Sequence, residues 1–180
     1  MNDLSETELT QRCANGDRKA FGALLARHQR QVFAAVFRIL HRREEAIDVM
    51  QTSFMRAYEH FDRYDPGQRF LSWLYRIAVN EALDQVRSHR TAWQEATADL
   101  IDGHDTPDEA LAHDQQDAAV QRALMGLKIE YRTVIVLKHV QGLGYDEIAQ
   151  ILGCPAKTVK SRLFTARQAL RDELVAMDRL

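Results

Sequence analysis

Apolar residues recur at helical spacing along nearly the whole chain, and no sustained alternation of apolar and polar positions marks a strand, so the pattern predicts an all-α protein. Ser5 followed by Glu8 reads as a capping box opening a first helix through Cys13. The turn Asn15–Asp17 follows, and Asp17 can cap a second helix whose inward side carries Phe21, Leu24, Leu25, His28, Val32, Val36 and Ile39. A third helix is expected from about Arg43 to His60, with Ala46, Ile47, Met50, Phe54, Ala57 and Tyr58 as its stripe. "YDPGQ", Tyr64 to Gln68, is the strongest turn signal in this half, and a fourth helix runs from Phe70 to about His89.

The pattern then breaks. Thr91 to Asp117 holds eight acids, no Lys or Arg, Gly103 and Pro107, and few large apolar residues, which reads as an acidic mobile linker. Helical spacing resumes near Gln116. Within "YDEIAQILGCPAKTVKSRLFTARQAL", Tyr145, Ile148, Ala149 and Leu152 form one stripe, and Val159, Leu163, Ala166 and Leu170 form another. Gly153 falls where the first of these helices must stop, and Pro155 suits the start of the next. Ala149 is small where the two helices cross. The spacing fits a helix-turn-helix. The expected organisation is two small helical domains, residues 1–90 and 116–180, joined by a linker over 91–115.

Composition adds limits. At 180 residues, 46% hydrophobic and 28% charged, the chain has the make-up of a soluble globular protein of one or two small domains. No apolar run approaches the roughly 20 residues of a membrane span, and the polar, acidic N-terminus does not read as a secretory signal, so a cytoplasmic location is expected. Cys13 and Cys154 are too few and too far apart for a disulfide framework, and no metal role can be assigned to either. A net charge of -2 does not point to nucleic acid, so that case must rest on local charge.

Local charge supplies it. Between Ile148 and Arg171 there is no acid, yet Lys157, Lys160, Arg162, Arg167 and Arg171 all appear. With Val159 and Leu163 turned inward, Lys157, Thr158, Lys160, Ser161, Arg162 and Thr165 project outward. Cations there meet phosphates or guanine, and hydroxyls adapt to bases or backbone, as a helix entering a DNA groove requires. A solvated basic surface is the plainer alternative; the coincidence of glycine turn, apolar spacing and acid-free face favours DNA. In the first half, Phe70, Trp73 and Tyr75 cluster with Arg69, Arg76, Arg87 and Arg90, and aromatic faces with cations are what a single strand needs. Trp73 has an equally good reading as a core residue.

"GDRKAF" (16–21), "AIDVMQTSFMRAY" (46–58), "FLSWLYRIAVNEALDQVR" (70–87) and "YDEIAQILGCPAKTVKSRLFTAR" (145–167), in that order, resemble the extracytoplasmic-function group of bacterial sigma factors, which carry region 2 and region 4 domains and no others. The resemblance spans nearly the whole chain. It implies a non-catalytic subunit that binds core RNA polymerase through the β′ coiled coil and the β flap, directs it to promoter DNA and needs no cofactor. It also implies response to a stress or extracytoplasmic signal and restraint by a cognate anti-sigma factor, often membrane-bound. The β′ contacts implied are Asp48, Gln51, Phe54, Arg56 and Tyr58. Opening and reading of the minus-10 element is implied for Tyr64, Asp65, Gln68, Arg69, Phe70, Trp73, Arg76, Asn80, Asp84 and Arg87. An exposed turn before a helix suits capture of a flipped base. Reading of the minus-35 element is implied for Lys157, Thr158, Lys160, Ser161, Arg162, Thr165 and Arg167.

Some positions depart from the pattern. Thr52 stands where relatives usually have an acid, Met50 and Met55 are less usual choices, and Gly144 replaces a more common Ser at a helix start. An enzyme is the rival from another class, but no nucleophile motif, phosphate-cradling glycine loop or metal-spaced Cys/His set is present. A two-domain repressor or activator could use the same helix-turn-helix; the 46–90 segment argues against it. Neither the promoter sequence, the inducing signal nor the type of anti-sigma factor is legible.

Overall fold

The computed structural model describes residues 4–95 and 115–177, and every regular element among them is helical. Among the described residues eight α-helices follow one another: α1 (Glu6–Ala14), α2 (Arg18–Leu40), α3 (Arg43–Glu59), α4 (Phe70–Glu95), α5 (Gln115–Met125), α6 (Ile129–Ile135), α7 (Tyr145–Leu152) and α8 (Ala156–Met177). A 3₁₀ turn, Phe61–Arg63, follows α3, and α6 widens into a π-turn over Val136–Val140. Residues 96–114 of the expected linker lie outside the described residues; α4 itself runs through Glu95, past the boundary expected at residue 90.

Local signals set the helix starts. The Ser5 hydroxyl accepts from the Glu8 amide at 3.2 Å and the Glu8 carboxylate accepts from the Ser5 amide at 2.7 Å, closing the capping box. Asp17 Oδ1 accepts from the amides of Lys19 and Ala20 at the head of α2. His28, an apolar-stripe position, is buried because its Nε2 meets the Glu6 carboxylate at 2.9 Å. α1 lies along α2, and Leu9, fully buried there, contributes about 2 kcal/mol through its side chain.

The inward face of α3 differs from the expected stripe. Its buried residues are Ala46, Val49, Ser53 and Ala57, while Ile47, Met50 and Phe54 are only half-buried and Tyr58 is exposed. α3 packs between α2 and α4, and small residues permit that close approach; the Ser53 hydroxyl is satisfied by the Val49 carbonyl at 2.6 Å. The large apolar side chains are thereby displaced to the helix flanks.

In the second half, α5, α6 and α7 each pack against α8, and α7 also touches the π-turn. Ile148, Ile151, Val159, Leu163 and Ala166 are buried as α7 and α8 cross, whereas Tyr145, Ala149 and Leu152 of the expected α7 stripe are half-buried. Gly153 takes the left-handed conformation, φ 60°, that a side chain disfavours, and the Cys154 amide donates to Ala149 at 3.0 Å to finish the turn. α8 starts just after Pro155, whose carbonyl accepts from the Thr158 and Val159 amides.

The two halves touch. α4 packs on α7, and α2 packs on the π-turn and α6, so the buried apolar residues form one contiguous cluster. Six consecutive residues, 70–75, are buried on α4. A helix resting on one core buries only a stripe, so this stretch of α4 is covered on two sides.

Candidate nucleic-acid and partner interface

Three surfaces carry the candidate residues. On α3, Asp48, Gln51, Met55 and Tyr58 share one outward stripe at i, i+3, i+7 and i+10. Met55 is 64% exposed and Tyr58 45%, unusual for large apolar side chains on a helix otherwise well packed. Met55 was not among the expected contacts; its position off the inward stripe was the signal. Phe54 is half-buried beside this strip. Arg56 points elsewhere, toward α4, where it ion-pairs with Glu81, so its first partner is intramolecular. Tyr58 is steadied by Phe21, edge-on at 5.2 Å, and by the Arg18 guanidinium 5.9 Å over its ring.

The second surface is the 64–69 turn with the outward side of α4. Asp65 shapes the turn: its side chain accepts from the Gly67 amide at 2.8 Å, its carbonyl from the Gln68 amide at 3.0 Å. The Tyr64 hydroxyl donates to the Gln68 carbonyl at 2.8 Å, and burial, aided by Glu6 and Asp65, raises its pKa and keeps it protonated. Beneath lies an aromatic cluster in which Trp73 meets Phe61, Tyr64 and Phe70 at 5.3–6.1 Å. The geometry corrects the expectation for two residues: Phe70 is fully buried and Trp73 is 7% exposed, so neither face is open to a base. They hold the turn because each is ringed by other aromatic rings. Gln68 and Arg69 stay on the turn, and Arg76, Asn80, Asp84 and Arg87 follow along the exposed side of α4, Arg87 pairing with Asp84 at 3.1 Å. Ser72, which sequence reasoning passed over, falls in the same row as Arg69 and Arg76.

The third surface is α8. Lys157, Lys160, Ser161, Thr165 and Arg167 are exposed, and Thr158 and Arg162 half-buried at its edges. The hydroxyls of Ser161 and Thr165 donate to the carbonyls of Thr158 and Ser161, leaving their lone pairs outward. Lys160 and Lys138 both approach the Tyr145 ring, at 5.6 and 4.8 Å. Arg167 Nε donates to His139 Nε2 at 3.3 Å; burial, with Arg167 and Lys138 nearby, lowers the His139 pKa and favours the neutral ring this bond needs. Phe164, 66% exposed, sits between Lys160, Ser161 and Arg167 at one helical turn's distance. It was also missed, although an aromatic off the Val159–Leu163 stripe is visible in the sequence.

Nothing among the described side chains builds a metal centre: no group of three His, Cys, Asp or Glu is suitably placed. Burial, then Asp17, pushes the Cys13 thiol up to about 11, so it is a protonated, unreactive thiol at neutral pH. No helix among the described residues is long and apolar enough to cross a membrane.

Two family models match the chain. Residues 24–92 match the family model for Sigma-70 region 2, and residues 117–170 that for Sigma-70, region 4. The chain is similar to the ECF RNA polymerase sigma factor SigW of Bacillus subtilis, at 32% identity over 88% of this chain and 91% of that protein. Among solved structures it is similar to the sigma factor RpoE in complex with the anti-sigma factor NepR from Bartonella quintana, at 28% identity and a TM-score of 0.74, covering 87% of this chain and 97% of that one. It is likewise similar to CnrH in complex with the cytosolic domain of CnrY, at 30% identity and a TM-score of 0.71, covering 95% and 97%.

Proposed function

Because the chain belongs to the extracytoplasmic-function group of sigma-70 family RNA polymerase sigma factors, we propose that its three surfaces divide the work of initiation. The α3 strip of Asp48, Gln51, Met55 and Tyr58, flanked by Phe54, docks on the β′ coiled coil of core polymerase. The apolar pair supplies desolvation energy, and the polar pair sets register. The second half meets the β flap. The protein is a non-catalytic subunit working in the cytoplasm, with region 2 ending in α4 and region 4 beginning with α5 on either side of the acidic stretch.

The turn and α4 capture unstacked bases of the minus-10 element. Promoter opening by this chain draws on no nucleotide hydrolysis, so its free energy comes from holding bases outside the stack. Tyr64, Asp65, Phe70 and Trp73 keep the turn rigid; Gln68, Arg69, Arg76, Asn80 and Arg87 supply donors and cations, with Asp84 orienting Arg87. On α8, Lys157, Lys160 and Arg167 pair with phosphates, and Thr158, Ser161, Arg162 and Thr165 reach toward bases of the minus-35 element. Phe164 supplies apolar contact of the kind that suits a thymine methyl.

The observation that carries this reading is the acid-free cationic face of α8 mounted on the buried Val159–Leu163–Ala166 stripe of a helix-turn-helix. The relatives solved with anti-sigma factors support a similar restraint here; in this reading the partner covers the α3 strip or the DNA faces and holds the protein at the membrane. Permanganate footprinting on duplex and pre-melted promoters, with core affinity measured alongside, tests the division. Gln68→Ala with Arg69→Ala should bind core normally but fail to open duplex DNA. Gln51→Ala with Met55→Glu should lose core affinity and transcription on both templates. A turn variant that opens duplex promoters normally would refute the assignment.

A further inference from the structure

One position on α2 differs in kind from its neighbours. The helix buries Phe21, Leu24, Val32, Val36 and Ile39 along its inward side, and His28 stands among them at 7% exposure. A leucine there would pack with no polar atom to satisfy, whereas a buried imidazole must find partners to replace water. His28 finds two. Nε2 meets the Glu6 carboxylate at 2.9 Å, and Nδ1 lies 3.4 Å from Gln31 Oε1. So held, the ring rests 5.6 Å from the Phe70 ring, and Phe70 meets Tyr64 edge-on, also at 5.6 Å.

The Glu6 carboxylate comes from α1, which precedes the residues 24–92 that match region 2. That helix packs along α2 and reaches the 3₁₀ turn leading into residues 64–69. Glu6 also faces Tyr64: burial raises the Tyr64 pKa, and the Glu6 charge adds to it. The hydroxyl kept protonated in this way donates to the Gln68 carbonyl at 2.8 Å. α1 is itself clamped in place. Leu9 is fully buried, Leu4 packs on the core, and the Arg27 guanidinium donates to the Leu4 carbonyl. A path of contacts therefore runs from Glu6 through His28 and Phe70 to Tyr64 and the backbone of Gln68.

We propose that α1 serves promoter opening as well as folding: Glu6 and His28 are positioning residues that fix Phe70 and Tyr64, and so hold Gln68 and Arg69 where the unstacked minus-10 strand meets them. The proposal rests on the reading of the 64–69 turn as the minus-10 face and adds to it the support behind that face. Stability alone gives no reason for the pair, because two hydrogen-bonded groups replaced by apolar ones of similar shape leave a fold nearly as stable. What the pair supplies is orientation. Groups that bind a ligand must be held within about 0.5 Å of their working positions by side chains locked behind them.

The test uses the full-length chain carrying Trp93→Phe, which leaves Trp73, packed on Tyr64 and Phe70, as its one tryptophan. His28→Leu, Glu6→Ala and Glu6→Gln are compared in it, the last keeping an oxygen that accepts from Nε2. His28→Leu and Glu6→Ala should keep the helix content by circular dichroism and bind core polymerase as the parent does. They should form about tenfold less open complex on duplex promoters by permanganate footprinting, yet transcribe pre-melted templates normally. Acrylamide should quench Trp73 more strongly in both, and Glu6→Gln should return every reading to the parental value. Parental duplex opening in His28→Leu and Glu6→Ala overturns the proposal. Loss of core affinity in step with opening in both also overturns it, since the pair would then serve the fold alone. Gln68→Ala with Arg69→Ala is run alongside to separate the two layers. If that variant opens duplex DNA normally, the reading of the turn fails; if it does not while the α1 variants do, only the role of α1 fails.

Discussion

Arg132 Nη1 lies 2.6 Å from the Ile39 carbonyl at the end of α2, while Nε donates to Leu124 and Nη2 to Met125 and Leu127. One buried guanidinium thus collects four carbonyl oxygens from two helix ends and the turn after α5, with no carboxylate partner among them. Burial lowers its pKa to about 10, which still leaves it charged at neutral pH. Arg132→Met should therefore strand four acceptors and cost about 3 kcal/mol in chemical denaturation. Arg132→Lys should recover only part of this, since an ammonium cannot span the same fork. A loss below about 1 kcal/mol for the Met variant would show that the carbonyls find water instead.

On α3, exposure separates docking from folding. Met55→Glu should leave the melting temperature within error, because the side chain is 64% exposed, yet weaken core polymerase binding at least tenfold in a fluorescence titration. Arg56→Ala should do the opposite on a small scale, costing below about 1 kcal/mol of stability by losing Glu81. Equal loss of core affinity in both would place the contact on the wrong side of the helix.

What was legible in the sequence, and what was not, follows from the range of the forces. The capping box at Ser5, the Asp17 cap, the Gly153 stop and the Val159–Leu163 stripe are set by neighbours within a few residues, and all stand as read. The rotation of α3 is not local: Ser53 turns inward because α2 and α4 close on it from both sides. Trp73 allowed two readings until its aromatic neighbours were assembled from the 3₁₀ turn, the 64–69 turn and the head of α4. The hydrogen bonds from Ser72 and Tyr75 to Glu147 and Gln141 depend on how two separately legible halves meet, which helical periodicity does not encode.

On α8, base readers and phosphate contacts should differ in kind. Phe164→Ala should cost about 1 kcal/mol on the native minus-35 element and relax preference at one thymine, measured by competition binding against point-substituted duplexes. Lys160→Ala should weaken all sequences alike and reduce the salt slope by about one. Uniform weakening by Phe164→Ala would assign it to packing rather than reading.

Acid should loosen the head of α7. The Gly144 amide, with Ser72, Arg69 and Lys138 adding to it, holds the Glu147 carboxyl below its ordinary value of 4.5. The folded form thus binds its proton less readily than the unfolded chain, so the carboxylate's contribution is complete above about pH 4.5 and is lost as pH falls through the lower folded value. Glu147→Gln should flatten that part of the stability curve below pH 4.5 and leave its shape at neutral pH unchanged. An unaltered acid limb would mean the carboxylate contributes nothing there.

Run-off transcription with purified core polymerase, on a library of promoter fragments from the native genome, tests the central claim most directly. With this chain added, initiation should begin at a discrete set of start sites, and Gln68→Ala with Arg69→Ala should abolish it on duplex templates but not on templates melted in advance. A chain that binds duplex fragments tightly by itself, yet leaves the start sites used by core polymerase unchanged, would contradict the account.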